Sequence, residues 1–400
     1  MKNWLQSAFG YSRNPAPQTK SNTHSGTNSG SPLIALQLAQ SAHWTPKNYN
    51  ALAREGYQQN AIAYRCIRLV AEAAASVQFC AWRDGAEVEG DPVARLLRKP
   101  NPKMSRAEFF ESFYGYLQLS GDSFIEAVLV DDKPAALFTL RPDRMQAVTD
   151  HTGWPTGWDY SVGDKKRRFR TDPMCGRTPV HHMRLFHPAD DIYGFSPLEA
   201  AAKAVDVHNA GGIWTKALLD NSARPSGALI YKGASGSEHL TDEQFERLKS
   251  ELDSKHTGAG AAGRPLLLEG GLDWKAMSMS PTDMDFLNAR REAAREIALA
   301  FGVPPMLLGI PGDNTYANYK EANLAFWRQT ILPLVRKTAD SLGTWLADWY
   351  GDDLRIVPDE DDIPALALER ISRWKMLNDI SFMSGDEKRA RVGLPVEDVP

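Results

Sequence analysis

The sequence is poor in cysteine, lacks long apolar runs and carries no excess of positive charge. Its three cysteines, Cys66, Cys80 and Cys175, are odd in number and unpatterned in spacing, so they outline no disulfide framework. Cys66 and Cys80 stand among apolar residues and read as buried free thiols, which fits the cytosol better than an oxidising compartment. No apolar run approaches ~18 residues, so no membrane span is expected. The start, MKNWLQSAFGYSR, has neither the hydrophobic centre nor the small-residue cleavage site of a signal peptide. The formal net charge is −4. A protein that grips nucleic acid through many phosphates is usually basic, so this balance disfavours a tight, sequence-reading DNA binder. It does not disfavour a surface past which DNA slides.

Catalytic signatures are equally scarce. Gly258-Ala-Gly260-Ala-Ala-Gly263 satisfies GxGxxG, yet a helix pattern precedes it and Arg264-Pro265 with a strand pattern follows. A dinucleotide site needs the reverse order, so a flexible glycine loop is the reading. There is no GxxxxGK[ST], no HExxH, no CxxC and no GxSxG. His181, His182 and His187 are the only histidine cluster; alternate strand residues share a face, so His181 and His187 could converge. That possibility supports one alternative, a soluble metal-dependent enzyme with a site between the 60–194 region and the later insertion. No catalytic residue, metal or cofactor is otherwise expected.

Two long helical patterns facing each other across a short polar loop dominate the rest. In the first, Pro281 to Phe301, Ser280 can cap with Asp283 completing the box, and Phe286, Ala289, Ala293, Ile297 and Phe301 recur at helical spacing. Gly302 and Pro304-Pro305 end it. After Met306 to Asn314 a second helix opens near Thr315, with Leu324, Trp327, Ile331, Leu334, Leu342 and Leu346 as its apolar stripe and a kink expected at Pro333.

Taken in order, residues 10 to about 47 are rich in Ser, Asn, Thr, Gly and Pro, a disordered arm by composition. A helix follows from Asn60 to Val77, a strand from Val77 to Trp82, a short helix from Pro92 to Leu97, and a helix opened by the Ser105/Glu108 box and reaching Leu119. From Gly121 to Arg184 the period becomes two. Strands are expected over 123–130, 135–140, 146–149, 158–162, 167–170 and 181–186, continuing as one meander. The basic run Lys165 to Arg168 sits at a hairpin tip and reads as a solvated turn, with phosphate contact as the alternative. Ser196-Pro-Leu-Glu199 caps a helix running to about Ala223; Gly211-Gly212 within it requires either a closely packed neighbour or a bend. Between it and Ser280 lies a small mixed module: a strand at 227–231, a helix at 241–252, and a hairpin of 264–269 with 272–276. A strand over 354–357, an acidic turn at Asp359 to Asp362 and helices at 365–378 and 384–395 complete an α+β chain of two or three domains.

The string GVPPMLLGIPGDNTYANYKEANLAFWRQTILPLV resembles the signature of tailed-bacteriophage portal proteins, the head–tail connectors of siphophages and of phage-like gene transfer agents. The resemblance implies an arm and lead-in over 1–59, an α+β wing over 60–194 and stem helices over 195–223 and 281–302. It further implies a clip over 224–280, a channel loop over 303–318, a wing helix and strand over 319–364, and a reduced crown over 365–400. Ile310, Pro311, Gly312, Asp313, Asn314 and Thr315 are the channel-loop candidates it points to; an ordinary helix–helix connector is the plainer reading of the same residues. By the resemblance, a ring of about twelve copies sits at one vertex of a virion assembled in the bacterial cytoplasm. Its partners would be the terminase large subunit, a head–tail adaptor, the major capsid or scaffolding protein, and double-stranded DNA passing through without sequence-specific binding.

Overall fold

The computed structural model describes residues 44–220, 227–231, 272–276, 285–311 and 316–391, with single positions 243, 246, 247 and 250. It is an α+β fold organised on a pair of packed helices. Helix α2 (Ala61–Ser76) starts where the Asn60 side chain accepts from the Ile62 and Ala63 amides. Its inner face is Ala63, Cys66, Ile67, Val70, Ala71 and Ala74, mostly small side chains. Beyond the short α3 (Pro92–Arg98), that low-relief face admits the bulky one of α4 (Arg106–Ser120), where Phe109, Phe110, Phe113, Tyr114 and Leu117 are all fully buried. The box foreseen at Ser105 is formed: the Glu108 amide donates to Ser105 Oγ at 3.2 Å and the Ser105 amide to Glu108 Oε2 at 2.7 Å. Gly121, at φ +80°, ends the helix in the left-handed conformation.

The expected meander is instead two separate sheets. β3 (Asp122–Val130) and β4 (Lys133–Leu140) form a hairpin over Asp131 and Asp132, both at positive φ, and β8 (Val180–Arg184) returns to the other edge of β3. Residues 122–127 of β3 are buried without alternation because both faces are covered: Ile125 and Ala127 join the main core and Phe124 the smaller one. β5 (Met145–Thr149), β6 (Pro155–Val162) and β7 (Lys165–Arg170) make the second sheet over a small core of Trp158, Phe169, Met145 and Phe124. A third sheet joins distant sequence: β1 (Phe79–Arg83) pairs antiparallel with β11 (Arg355–Pro358), Phe79 opposite Pro358, and also with the short β2 (Ala86–Glu87).

Residues 44–59, which the resemblance assigns to an arm and lead-in and whose first few composition also counts in the arm, are structured. Thr45 donates from its amide and hydroxyl to Asp206 at 2.8 and 2.5 Å, and α1 (Tyr49–Leu52) follows, with a π-helical turn behind it. The rest of the arm lies outside the described residues. The helix expected from Ser196 is broken at Ala201 into α5 (Pro197–Ala200) and α6 (Ala202–Asp220). Ser196 caps it, while Glu199 pairs with Lys47 at 3.2 Å. Helix α7 (Phe286–Ala300) packs along α6; a Cβ at Gly211 would lie 2.7 Å from Arg290 Cγ, so a close neighbour accounts for this glycine.

β9 (Gly227–Tyr231) pairs with β10 (Leu272–Ala276), Gly227 opposite Ala276. The 264–269 partner expected for that second strand, most of the 241–252 helix, and the Ser280/Asp283 box lie outside the described residues.

After α8 (Tyr316–Phe326) comes a π-helical turn, Trp327–Ile331, then α9 (Leu332–Tyr350). Pro333, expected to kink the helix, stands just after that turn. Its ring would clash with the carbonyl four residues back, and the wider turn, closed by the Leu332 amide on the Trp327 carbonyl, makes room for it. Helices α10 (Ala367–Asp379) and α11 (Gly385–Arg391) finish the described chain. Of the cysteines, all free, Cys66 is buried, Cys80 half-buried and Cys175 exposed; burial pushes the Cys66 and Cys80 thiols up to about 12.

Candidate functional site

The connector from α7 to α8 is the segment that the sequence singles out, and most of it is firmly seated. Gly302 takes φ +63° to turn the chain out of α7. Val303 donates back to the Ala298 carbonyl at 2.9 Å and is 2% exposed. Pro305–Leu308 make one 3-10 turn, with Leu307 and Leu308 packed on the main core, and Gly309 at φ +71° ends it. Ile310 is buried at 7% exposure, so this loop candidate has its side chain in the core. Pro311 is exposed, and its carbonyl accepts from Arg295 Nη2 at 2.9 Å. Arg295 in turn pairs with Glu292 at 2.5 Å. Gly312, Asp313, Asn314 and Thr315 lie outside the described residues, and Tyr316 opens α8. Within the expected 303–318 segment, residues 303–310 therefore form a packed base, and the candidate tip narrows to the residues after Pro311. Arg295 and Thr330, whose hydroxyl donates to the Gly302 carbonyl, carry no signal of their own in the sequence, because each acts on a carbonyl that only the fold brings near.

The other chemical candidates resolve into structure. Lys165 to Arg168 is not a bare cationic tip but part of β7. Arg168 forms a forked pair with Asp159 at 2.7 and 2.8 Å, Lys166 reaches the same carboxylate at 2.8 Å, and Arg167 pairs with Glu126 at 2.6 Å. The Arg168 guanidinium, with help from Lys166, holds the Asp159 carboxyl well below the usual carboxylate range. His181 and His187 do not meet at a common site. His181 is buried, bonded to Ser341 Oγ at 2.8 Å and packed against Phe113 and Trp345. Burial, with the neighbouring His182, pushes it down to about 3. His182 stacks on Phe124 and bonds Asp122 at 2.7 Å, while His187 Nδ1 accepts from the Ala189 amide. Among the described residues no group of three or more His, Cys, Asp or Glu could hold a metal, and no helix is long and apolar enough to cross a membrane. The Gly258–Gly263 stretch lies outside them.

Comparison with known proteins places this architecture. A family model described as phage portal protein matches residues 61–393. An uncharacterised protein of Rickettsia bellii is 42% identical over 343 residues, covering 85% of this chain and 88% of that one. The portal protein of Enterobacteria phage HK97 is 27% identical over 265 residues, covering 64% of this chain and 58% of its own length. Among solved structures, a chain in the neck of an empty gene transfer agent particle, computed with C6 symmetry, is 50% identical. It superposes with a TM-score of 0.70 over 89% of this chain and 96% of that one. A portal protein of the HK97 family from Corynebacterium diphtheriae, 14% identical with a TM-score of 0.54, covers 80% of this chain and 98% of its own and shares the fold. With the match running from the first core helix to the last short one, the chain belongs to the phage portal protein family.

Proposed function

We propose that this chain is a head–tail connector subunit: copies close into a ring at one capsid vertex, double-stranded DNA passes through it during packaging and ejection, and the chemistry of packaging belongs to a docked terminase. The observation that carries this reading is the 50% identity over 89% of the chain to a component of a particle neck, with a second neck structure, computed with C12 symmetry, matching at 49%. A head-to-tail contact closes into a ring when its rotation divides a full turn, and each copy then needs two different complementary faces. The paired helices α6 and α7 supply such faces as the stem, with the β9–β10 ribbon in the clip. The wing is the domain around α2, α4 and the β3 and β6 sheets.

The tip Gly312, Asp313, Asn314 and Thr315, carried on the packed base through Ile310 and Pro311, is the channel loop in this reading. It bears short polar side chains and no cationic grip, which suits a polyanion that must keep moving. The clip meets the terminase large subunit and later a head–tail adaptor, the wing and crown meet the capsid or scaffolding protein, and the ring resides in the virion after assembly in the host cytoplasm. Electron microscopy and native mass of the purified protein, alone and with its capsid proteins, test this. An annular particle with a hole wide enough for a duplex is expected. A species that stays monomeric even with its capsid proteins overturns the reading.

A further inference from the structure

A cleft of about 490 Å³ opens between the start of α9, the turn 359–362, α10 and α11, and none of its lining residues belongs to the α7–α8 connector. Five arginines and three carboxylates line it. Each carboxylate is taken: Glu369 by Arg328, Glu360 by Arg336 in a forked pair at 2.6 and 2.8 Å, and Asp361 by Arg370 at a long 3.4 Å. Arg373 of α10 and Arg391 of α11 also line the cleft and have no ion pair among the described residues. The cleft thus keeps two uncompensated guanidiniums, one from each helix. Arg370, Arg373 and Trp374 stand at helical spacing on one face of α10, and the Arg370 guanidinium lies 5.7 Å from the centre of the Trp374 ring.

We propose that this cleft binds phosphate oxyanions. Two planar guanidiniums facing one space suit a phosphate, which accepts paired N–H donors and whose charge they would balance. The space exceeds one phosphate and fits a short polyphosphate or successive phosphates of a nucleic acid backbone. Trp374, 42% exposed, offers an aromatic face to whatever the phosphates carry. The acidic balance of the whole chain does not oppose this, because a cleft is governed by its local field. The site stands independently of the connector reading, since it needs one copy of the chain only.

The test is calorimetric titration of the full chain with tripolyphosphate and, separately, with a short DNA duplex across a salt series. R373A/R391A is expected to weaken binding by about tenfold or more and, for DNA, to flatten the log–log salt slope by about two. Asp361→Asn, which leaves Arg370 unpaired, is expected to tighten it. Lys165→Ala, a distant exposed cation, is expected to change nothing. Binding of both probes names the nucleic acid backbone as the source; binding of tripolyphosphate alone names a free polyphosphate, and either supports the site. No binding of either, or equal loss with Lys165→Ala, overturns it. Should R373A/R391A fail to fold, the Asp361→Asn result decides alone, and unchanged affinity there overturns the proposal.

Discussion

Thr330 donates its hydroxyl to the Gly302 carbonyl at 2.7 Å, and the same hydroxyl lies 2.7 Å from where a Cβ on residue 302 would stand. The turn out of α7 is thus held by a side chain that leaves room for no other. With φ at +63°, Gly302→Ala meets backbone strain and this contact together, and a loss of about 1–3 kcal/mol is expected. Thr330→Val removes only the hydrogen bond and is expected to cost about 1 kcal/mol. Urea denaturation measures both; equal stability of Gly302→Ala and the parent chain would show the turn is not held this way.

Gly211 and Gly212 are adjacent in one helix but differ in what surrounds them. A Cβ on Gly211 would press on Arg290 Cγ at 2.7 Å, whereas one on Gly212 has only Arg290 Nη2, at 4.0 Å. Alanine in a helix interior gains up to about 1 kcal/mol over glycine. Gly212→Ala should therefore raise the melting temperature, and Gly211→Ala should lower it or leave it flat. A shift of the same sign and size at both would refute the packing of α7 on α6.

Acid should weaken the fold through two groups with distinct windows. His181, pushed down to about 3, is neutral when folded, while an unfolded imidazole titrates near ~6.5. The unfolded chain therefore takes up the proton first, and stability is lost as pH falls from ~6.5 toward 3. Asp159, held low by Arg168, contributes stability that is present above ~3.9 and is lost on further acidification. His181→Leu should flatten the unfolding midpoint between pH 6.5 and 4, and Arg168→Met should leave that interval sloped while removing the steeper fall below it.

Shortening the connector tip separates assembly from passage. Because Ile310 is buried, the deletion should begin after it, removing Gly312 to Asn314. Rings are expected to form as in the parent, with less DNA in each particle. Unchanged DNA per particle would refute the channel-loop assignment.

Much of the architecture was legible because it is local. The Ser105 box, the Asn60 to Val77 helix pattern and the period-two strands all depend on residues within a few positions of each other. What was not legible is long-range. Period two gives strands without saying that 180–184 returns to β3 rather than extending the meander, and burial of both faces of β3 is visible only once both cores are in place. The Lys165 to Arg168 run is exposed, as a solvated turn implies, but it is a strand and its carboxylate partners, Asp159 and Glu126, come from other strands and could not be read from it. Pro333 marked an irregularity correctly, but its form, a widened turn in place of a sharp bend, depends on packing that holds Phe326 and Ile331 inward. The connector was recognised by its wording, and the extent of its packed base, down to Ile310, depends on contacts that wording does not encode.

The pairing of Phe79–Trp82 with Arg355–Pro358 makes the first of the described strands wait for the last. A ribosome must deliver the chain through Pro358 before that edge is covered, and an interrupted product keeps it bare, open to stray partners. A chain cut short of Arg355 thus exposes the backbone groups of Phe79–Trp82 that the complete pairing covers.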